Sequence, residues 1–395
     1  MFEIIDKEDA INDFETVIKV IGVGGGGGNA VDHMVREGVK GVEFIVANTD
    51  AQALKRSQVH TRLRLGKTGL GAGARPEVGR DAAIGERERI TEALKGAHMV
   101  FITAGMGGGT GTGAAPVVAE IAREMGVLTV AVVTRPFTFE GGKRAKIAEA
   151  GIAELQKHVD SQIVVLNEKL MDVLGDDVSV DEAFKAANNV LRSAVGGIAE
   201  IINLPGLINV DFEDVRTVMG EMGVAMMGSA SASGVDRARL AAEQAVASPL
   251  LEGVNLSGAK GVLVNITSSR DMKLKEVNEV MNTVRAFAAD DAHIIFGAVY
   301  DDGMEDELRV TVIATGLGQP QAKRTPFEVI NTPVVQQERA TGTDGGYAFG
   351  VNIDFKDLDV PAVVRKGRSA TAEALVNGGV DRDGPIPAFL RKQAD

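Results

Sequence analysis

The sequence predicts an α/β fold in which a Rossmann-like parallel-sheet domain is followed by a long central helix, a smaller α+β domain and a disordered tail. Three observations predict this fold. Short, almost wholly apolar runs alternate with segments of helical periodicity in the first part of the chain. Two glycine-rich stretches each follow such a run and precede a helical pattern. One long helical pattern then separates this part from a second unit of mixed composition.

The composition excludes several classes of protein. The 395 residues carry a net charge of −13 and include no cysteine. The negative charge argues against general binding to nucleic acid or to an anionic membrane surface, and the lack of cysteine excludes disulfides, thiolate metal sites and thiol catalysis. The sequence has no secretory leader pattern and no uncharged apolar run long enough to span a membrane, so we expect a soluble, cytoplasmic protein.

The first glycine-rich stretch directly follows a predicted strand at residues 17–23. Gly22, Gly24 and Gly27 fit the G-x-G-x-x-G pattern of dinucleotide-binding folds. The next predicted strand, residues 42–50, ends in an acid that could hold a ribose hydroxyl. Taken alone, these features are typical of an NAD-dependent oxidoreductase, which is one alternative for the function.

The second glycine-rich stretch, residues 107–113, holds five glycines and two threonines after the predicted strand 99–104. We predict that the helices after the two stretches begin at Ala30 and Ala114, with Pro116 in the first turn of the second. A strand-to-helix junction presents unpaired backbone N–H groups and the positive end of the helix dipole. Glycine lets the backbone approach a bulky anion. The sequence therefore predicts a phosphate cradle, with a plain turn or linker as the alternative.

A third glycine-rich segment, residues 66–79, lacks periodicity and is too long for a simple turn. It predicts either a loop that closes over a terminal phosphate or a mobile surface loop. The apolar runs 128–134 and 162–167 are further predicted strands, separated by a helix. Near-continuous apolar strands that alternate with helices indicate a parallel sheet covered on both faces. The loops at the carboxyl ends of these strands then meet at one edge, where such sheets bind ligands.

The remainder of the chain divides by pattern. Ser179 and Glu182 form a capping box that opens a helical pattern of about 23 residues, interpreted as a helix between two domains. Beyond residue 318, periodicity fails and Pro, Gln, Gly and Thr are frequent, which is typical of disorder. The predicted organisation is a flexible arm (1–15), a nucleotide-binding domain (16–178), the central helix (179–203), an α+β domain (204–318), a disordered linker (319–380) and a docking peptide (381–395).

An acidic segment, residues 209–215, follows the central helix. Asp211 is placed to cap the next helix, and Asp214 follows three residues later in its first turn. On this interpretation the acids only stabilise a helix start. The alternative is that Asn209, Asp211 and Asp214 face the same way and orient a water molecule or a cation. The residues alone favour the capping role.

The last residues interrupt the polar composition of the tail. Ile386, Phe389 and Leu390 are apolar side chains at the end of a predicted flexible tether. They indicate a docking peptide that becomes ordered on binding a partner. A frayed terminus without a role is the alternative.

Four motifs, in this order, resemble the FtsZ family of bacterial cell-division GTPases in the tubulin superfamily. They are the glycine loops 24–29 and 107–113, the acidic segment 209–214 and the terminal sequence 386–391. The resemblance runs almost continuously from residue 16 to residue 318. The resemblance replaces the interpretation as an NAD-dependent oxidoreductase, because a dehydrogenase does not need a second phosphate loop. A nucleotide-dependent scaffold with little hydrolysis remains an alternative.

The resemblance implies GTP and GDP as ligands, with Mg²⁺ held mainly by phosphates and water. It also implies which residues bind the nucleotide, with Asn167 as a further source of guanine selectivity. They are Gly25, Gly26, Gly27, Gly28, Gly107, Gly108, Gly109, Thr110 and Gly111 for the phosphates; Ala72 and Gly73 for the terminal phosphate; Glu140 and Arg144 for the ribose and nearby groups; and Asn29, Phe184 and Asn188 for guanine.

The resemblance further implies a head-to-tail filament in which the acidic segment completes the site of the neighbouring subunit. Asp211 and Asp214 would then activate the attacking water, and Asn209 would position it. The expected location is the inner face of the membrane at midcell, without membrane insertion or nucleic-acid binding by this chain. Membrane-tethering and regulatory division proteins, such as FtsA or ZipA, would bind Ile386, Pro387, Phe389, Leu390 and Arg391.

Overall fold

A computed structural model describes residues 16–317 apart from 176, 205, 221–222, 252–258 and 290–291. In this part of the chain, eleven strands form one sheet in the order β3-β2-β1-β4-β5-β6-β8-β11-β9-β10-β7. The strands are β1 Ile18–Val23, β2 Glu43–Asn48, β3 Thr61–Arg64, β4 Met99–Gly105, β5 Leu128–Arg135, β6 Ser161–Leu166, β7 Gly206–Ile208, β8 Gly223–Ser233, β9 Gly261–Ser268, β10 His293–Tyr300 and β11 Glu307–Leu317.

The predicted parallel sheet is confirmed. Every strand pair from β3 through β6 to β8 is parallel, so each connection must cross back over the sheet. Helices make most of these crossings: α1 Gly24–Arg36, α2 Ala51–Arg56, α3 Pro76–Ile84, α4 Arg87–Leu94, α5 Thr110–Glu124, α6 Gly142–Leu155 and α7 Asn167–Leu174.

The predicted central helix is α8, Val180–Asn203, which has 24 residues and is about 36 Å long. Its capping box is confirmed, because the Ser179 hydroxyl accepts the Glu182 N–H at 3.2 Å and the Glu182 carboxylate accepts the Ser179 N–H at 2.9 Å. Hydrogen bonds from the Ser179 hydroxyl and backbone lower the pKa of Glu182. At the far end, the Asn203 amide donates to the Thr16 carbonyl just before β1. The helix therefore ends at the amino edge of the sheet.

The sheet is covered on both faces, as predicted. On β4, Phe101 belongs to a buried core that contains Met34 of α1 and Leu191 of α8. The next residue, Ile102, belongs to a separate core with Val118 of α5. Since successive strand residues point to opposite faces, both kinds of position must be apolar.

The sheet continues into the second half of the chain, because residues 161–163 of β6 pair with residues 223–225 of β8. Beyond β8 the pairing is mostly antiparallel, with one parallel pair between β9 and β10. Strand β8, which is rich in small residues, was not predicted from the sequence. A Cβ on Gly228 would lie 1.9 Å from the Ala245 carbonyl oxygen, so this strand lies directly against a helix. The helices here are α9 Phe212–Met219, α10 Arg237–Val246 and α11 Leu274–Phe287.

Two predicted helix starts are wrong. Helix α1 begins at Gly24 rather than Ala30, and α5 begins at Thr110 rather than Ala114, which puts Pro116 in the second turn of α5. Close packing against neighbouring backbone outweighs the poor helix propensity of glycine at these starts. In the segment 66–79, only the part before α3 is a loop.

The predicted flexible arm (1–15), disordered linker (319–380) and docking peptide (381–395) lie outside the described residues.

Candidate nucleotide-binding site

The two glycine-rich junctions lie side by side, because β1 and β4 are neighbours and Val23 pairs with Ala104. Gly24 has a φ of +75°, and a Cβ on it would lie 2.7 Å from the Gly111 backbone nitrogen. Only glycine therefore permits this approach. Helices α1 and α5 both begin here, so their unpaired N–H groups and positive dipole ends converge on one edge of the sheet.

The glycines of this cradle fall into two groups. A Cβ on Gly27 would lie 2.2 Å from the Thr103 carbonyl oxygen, and one on Gly107 would lie 2.7 Å from Cγ of Arg144. At these two positions, neighbouring protein atoms leave no space for a side chain. By contrast, a Cβ on Gly25, Gly28 or Gly108 would meet nothing within 4 Å. Those three glycines border open space that an anion can occupy.

Three threonines stabilise the cradle. The Thr112 hydroxyl accepts the Gly107 N–H at 2.9 Å and so closes the loop before α5. The hydroxyls of Thr110 and Thr49 lie 2.6 Å apart, both buried. Thr49 is a contributor that the sequence analysis missed, since it stands in the ordinary turn after β2. Thr110, which was predicted to contact phosphate, lies at the first position of α5.

The loop before α3 abuts the cradle, as its predicted role requires. Ala72 is buried, and a Cβ on Gly109 would lie 2.8 Å from the Ala72 Cβ. Gly73 has a φ of +58°, and the next residue, Ala74, has a φ of +57°. A left-handed alanine is unfavourable by about 1–2 kcal/mol. The contacts around Ala72–Ala74 therefore hold this loop in one shape against the glycine-rich stretch 107–113.

A cavity of about 350 Å³ continues from the cradle between α1, α6 and α8. Glu140 is held in place there, because its Oε2 forms an ion pair with the Arg144 guanidinium at 3.0 Å and its Oε1 accepts the Phe137 N–H at 2.9 Å. The predicted base and ribose residues all line this cavity: Asn29, Glu140, Arg144, Asn167, Phe184 and Asn188.

Two features of the cavity suit a planar polar base. Phe184 is 41% exposed and lines the cavity, so its ring is available for a base to stack on. The Oδ1 of Asn167 is buried and, among the described residues, accepts no hydrogen bond. A buried acceptor without a partner costs stability unless a ligand satisfies it. A second cavity of about 730 Å³ adjoins the first and shares Gly25, Asn29, Phe184 and Asn188. We call the two cavities together the cleft.

Phe137 is a further contributor that the sequence analysis missed. Its buried ring meets that of Phe184 edge to face, with 5.3 Å between the centroids. The available signal was the pair Phe137 and Phe139, two aromatic residues in a strand-to-helix loop of a chain with only 4% aromatic residues.

The predicted acidic residues do not join this site within one chain. Asp211 caps α9 by accepting the Asp214 N–H at 2.8 Å, and the Asn209 side chain accepts the Gly206 N–H at 2.8 Å. Asp214 is exposed, and its carboxylate has no hydrogen bond or ion pair within the described part of the chain. All three residues follow the distal end of α8, whereas Phe184 and Asn188 lie on its first turns. The capping role of Asp211 is confirmed.

The described residues include no helix long and apolar enough to cross a membrane. Within the same ranges, no group of three or more His, Asp or Glu side chains is arranged to hold a metal ion.

The fold and the cleft together define a nucleotide-binding protein whose phosphate cradle is built from two glycine-rich helix starts. Residues 17–175 match the Tubulin/FtsZ family GTPase domain, and residues 223–318 match the FtsZ family C-terminal domain. The chain belongs to the FtsZ family, and its first domain is a GTPase domain. This assignment excludes the NAD-dependent oxidoreductase.

Relatives agree with the assignment over the whole chain. The chain is 56% identical to the cell division protein FtsZ of Pseudomonas aeruginosa, with 100% of each chain covered. It is 53% identical to that of Coxiella burnetii, over 95% of this chain and 96% of the relative. Among solved structures, it resembles an empty FtsZ dimer of M. jannaschii with a TM-score of 0.74 and 41% identity, over 80% of this chain and 93% of that one.

Proposed function

We propose that this GTPase polymerises head to tail and scaffolds the division ring, and that each reaction centre is shared by two subunits. One observation carries the proposal. The acidic residues are exposed but stand beyond the far end of a helix about 36 Å long whose first turns line the cleft. They can therefore act on a nucleotide only if it is bound to another copy of the chain.

The proposed nucleotide contacts follow the geometry of the cleft. The cradle glycines 25–28 and 107–111, with Thr110, hold the phosphates through backbone N–H groups. Ala72 and Gly73 meet the terminal phosphate, because their loop touches Gly109. The ribose and nearby groups contact Glu140 and Arg144, and the base contacts Asn29, Phe184, Asn188 and Asn167.

Hydrolysis then needs the acidic segment of the next subunit. Asp211 and Asp214 accept a proton from the attacking water, and Asn209 positions that water, as the water oxygen bonds to the terminal phosphorus and the bond to GDP breaks. Mg²⁺, held mainly by phosphates and water, would neutralise phosphate charge. Since the two joined surfaces differ, the contact is heterologous and yields an open filament.

The same proposal includes the tail and the location. Residues 386–391 bind membrane-tethering or regulatory division proteins, of which FtsA and ZipA are the expected kind. The filament therefore assembles at the inner face of the membrane at midcell. Deleting residues 383–395 should abolish partner binding and leave filaments intact; loss of assembly on this truncation would contradict the docking role.

Phosphate release across a dilution series tests the function. If two subunits share each site, GTP hydrolysis per molecule rises with protein concentration, and ATP supports little turnover. Constant hydrolysis per molecule at all concentrations would contradict the shared site. GTP binding with hardly any hydrolysis at high concentration would favour the alternative, a scaffold with little enzyme activity.

A further inference from the structure

We propose that Phe137 is a positioning residue for nucleotide binding, which orients the Phe184 ring for the base and the Glu140 carboxylate for the ribose. This inference rests on the proposed function, because it assumes that the cleft binds a guanine nucleotide as described above. Phe137 is 1% exposed and does not itself line either cavity of the cleft. It therefore acts through its neighbours.

The first neighbour is Phe184. The two rings meet edge to face, with centroids 5.3 Å apart and planes at 86°. An edge-to-face contact directs the positive edge of one ring at the negative face of the other, and so favours one orientation. Phe184 is half-exposed on the first turns of α8 and would otherwise lose rotamer freedom when a base stacks on it. Phe137 removes part of that cost before the nucleotide arrives.

Phe137 is also in contact with a second ring. It stacks on Phe139, with centroids 5.1 Å apart and planes at 14°. Phe139 is 65% exposed, whereas Phe137 is buried. The three rings thus form a row in which Phe137 is the buried middle member.

The second neighbour is Glu140. The Phe137 N–H donates to Glu140 Oε1 at 2.9 Å, and the Thr138 N–H donates to Glu168 Oε2 at 3.0 Å. Glu168 directly follows Asn167, which lines the smaller cavity. Hydrogen bonds therefore link the segment 137–140 to the ribose side of the cleft through Glu140 and to the base side through Glu168.

The test is Phe137→Leu, which keeps an apolar side chain and removes the ring. Binding of GTP and of GDP is measured by equilibrium dialysis at protein concentrations below the range where hydrolysis per molecule rises. The loss of the Phe137–Phe184 ring pair predicts an increase of about 2- to 10-fold in both dissociation constants. The turnover number at saturating GTP stays within about twofold, because no contact to the reacting phosphate changes.

Phe101→Leu is the matched control, because it removes an equally buried ring from β4 in the core behind the cleft. It should lower thermal stability without changing the dissociation constants. Equal nucleotide affinity for Phe137→Leu and wild type would overturn the inference. If Phe137→Leu does not fold, Phe139→Leu replaces it. That residue is exposed, and its loss from the row should weaken GTP binding by about twofold; no change would again contradict the inference.

A double-mutant cycle separates orientation from simple packing. If Phe137 acts through Phe184, then Phe137→Leu has a much smaller effect on GTP affinity in a Phe184→Leu background than in wild type. Independent, additive losses would refute the coupling. Failure of the wild-type chain to bind GTP would instead contradict the proposed function, so the two failures are distinguishable.

Discussion

Asp214→Asn should abolish most GTP turnover while GTP binding and assembly survive. The carboxylate is exposed and has no bond within the described residues, so its removal leaves nothing unpaired. The substitution costs only the interaction of one acid with the α9 dipole, about 0.3–1 kcal/mol of stability. Its loss from the proposed reaction centre removes a proton acceptor, for which a 100-fold drop in turnover, or about 2.7 kcal/mol of activation free energy, is expected.

Glu213→Gln is the control for this experiment. Glu213 is an acid in the same helical turn, and its ion pair with Arg216 at 3.0 Å is solvent-exposed. Such a pair contributes little stability, so this variant changes the net charge equally without touching the proposed centre. Phosphate release, bound nucleotide and sedimentation of filaments are measured for both variants. Equal turnover in Asp214→Asn and Glu213→Gln would refute the trans-acting role and leave the segment as a helix start.

Three further outcomes follow from the cleft and from the second half of the chain. Gly108→Asp should weaken GTP binding at least tenfold, because it places a carboxylate in the open space beside Gly108 where the phosphates are proposed to bind. Gly108→Asn introduces a side chain of the same size without the charge and should weaken binding much less. Calorimetric titration of both variants with GTP distinguishes the effect of charge from that of size. Phe184→Ala should raise the GTP dissociation constant about tenfold in the same assay, because it removes base stacking, and should lower the melting temperature slightly, because it also removes the edge-to-face contact with Phe137. Arg237, 4% exposed, pairs with Glu276 at 2.7 Å, so Arg237→Met should cost about 3 kcal/mol in urea unfolding at pH 7 by leaving that carboxylate unpaired. Burial alone would raise the pKa of Glu276, but hydrogen bonds from Arg237 and a backbone N–H lower it overall. The stability that the ionised Glu276 contributes is fully present above the ordinary glutamate pKa of about 4.3 and is lost as the pH falls through the lower pKa of Glu276 in the folded state. In a pH series, the free energy of unfolding should therefore fall more steeply in acid for the wild type than for the variant.

The sequence predicted the strands of the first half well, because their apolar runs are buried on both faces. Strand β4, predicted over residues 99–104, is Met99–Gly105. The helix starts at Gly24 and Thr110 could not be predicted in this way. Glycine has poor helix propensity, and the close approach to the Gly111 backbone that requires a glycine at position 24 is a long-range contact, which the local sequence pattern does not show.

Strand β8 shows a second limit of sequence patterns. Its small residues give a weak apolar signal, yet it joins the two halves of the sheet through β6 and lies beneath α10. For the candidate site, Glu140 and Phe184 were both named from the sequence and both line the smaller cavity, and their roles stay predictions. The contribution of Phe137 was not predicted, because it depends on a ring contact between residues 47 positions apart in sequence.

Mixing two impaired variants, at a GTP concentration that fills wild-type clefts but not those of Gly108→Asp, tests the shared reaction centre most directly. Gly108→Asp keeps its acidic segment but binds nucleotide poorly, whereas Asp214→Asn keeps its cleft but lacks the acid. If a heterologous contact joins one intact cleft to one intact acidic segment, random pairing in an equal mixture makes about a quarter of the contacts competent. The account predicts that the mixture recovers GTP hydrolysis toward that fraction of the wild-type rate. A mixture no more active than the sum of its two components would contradict it.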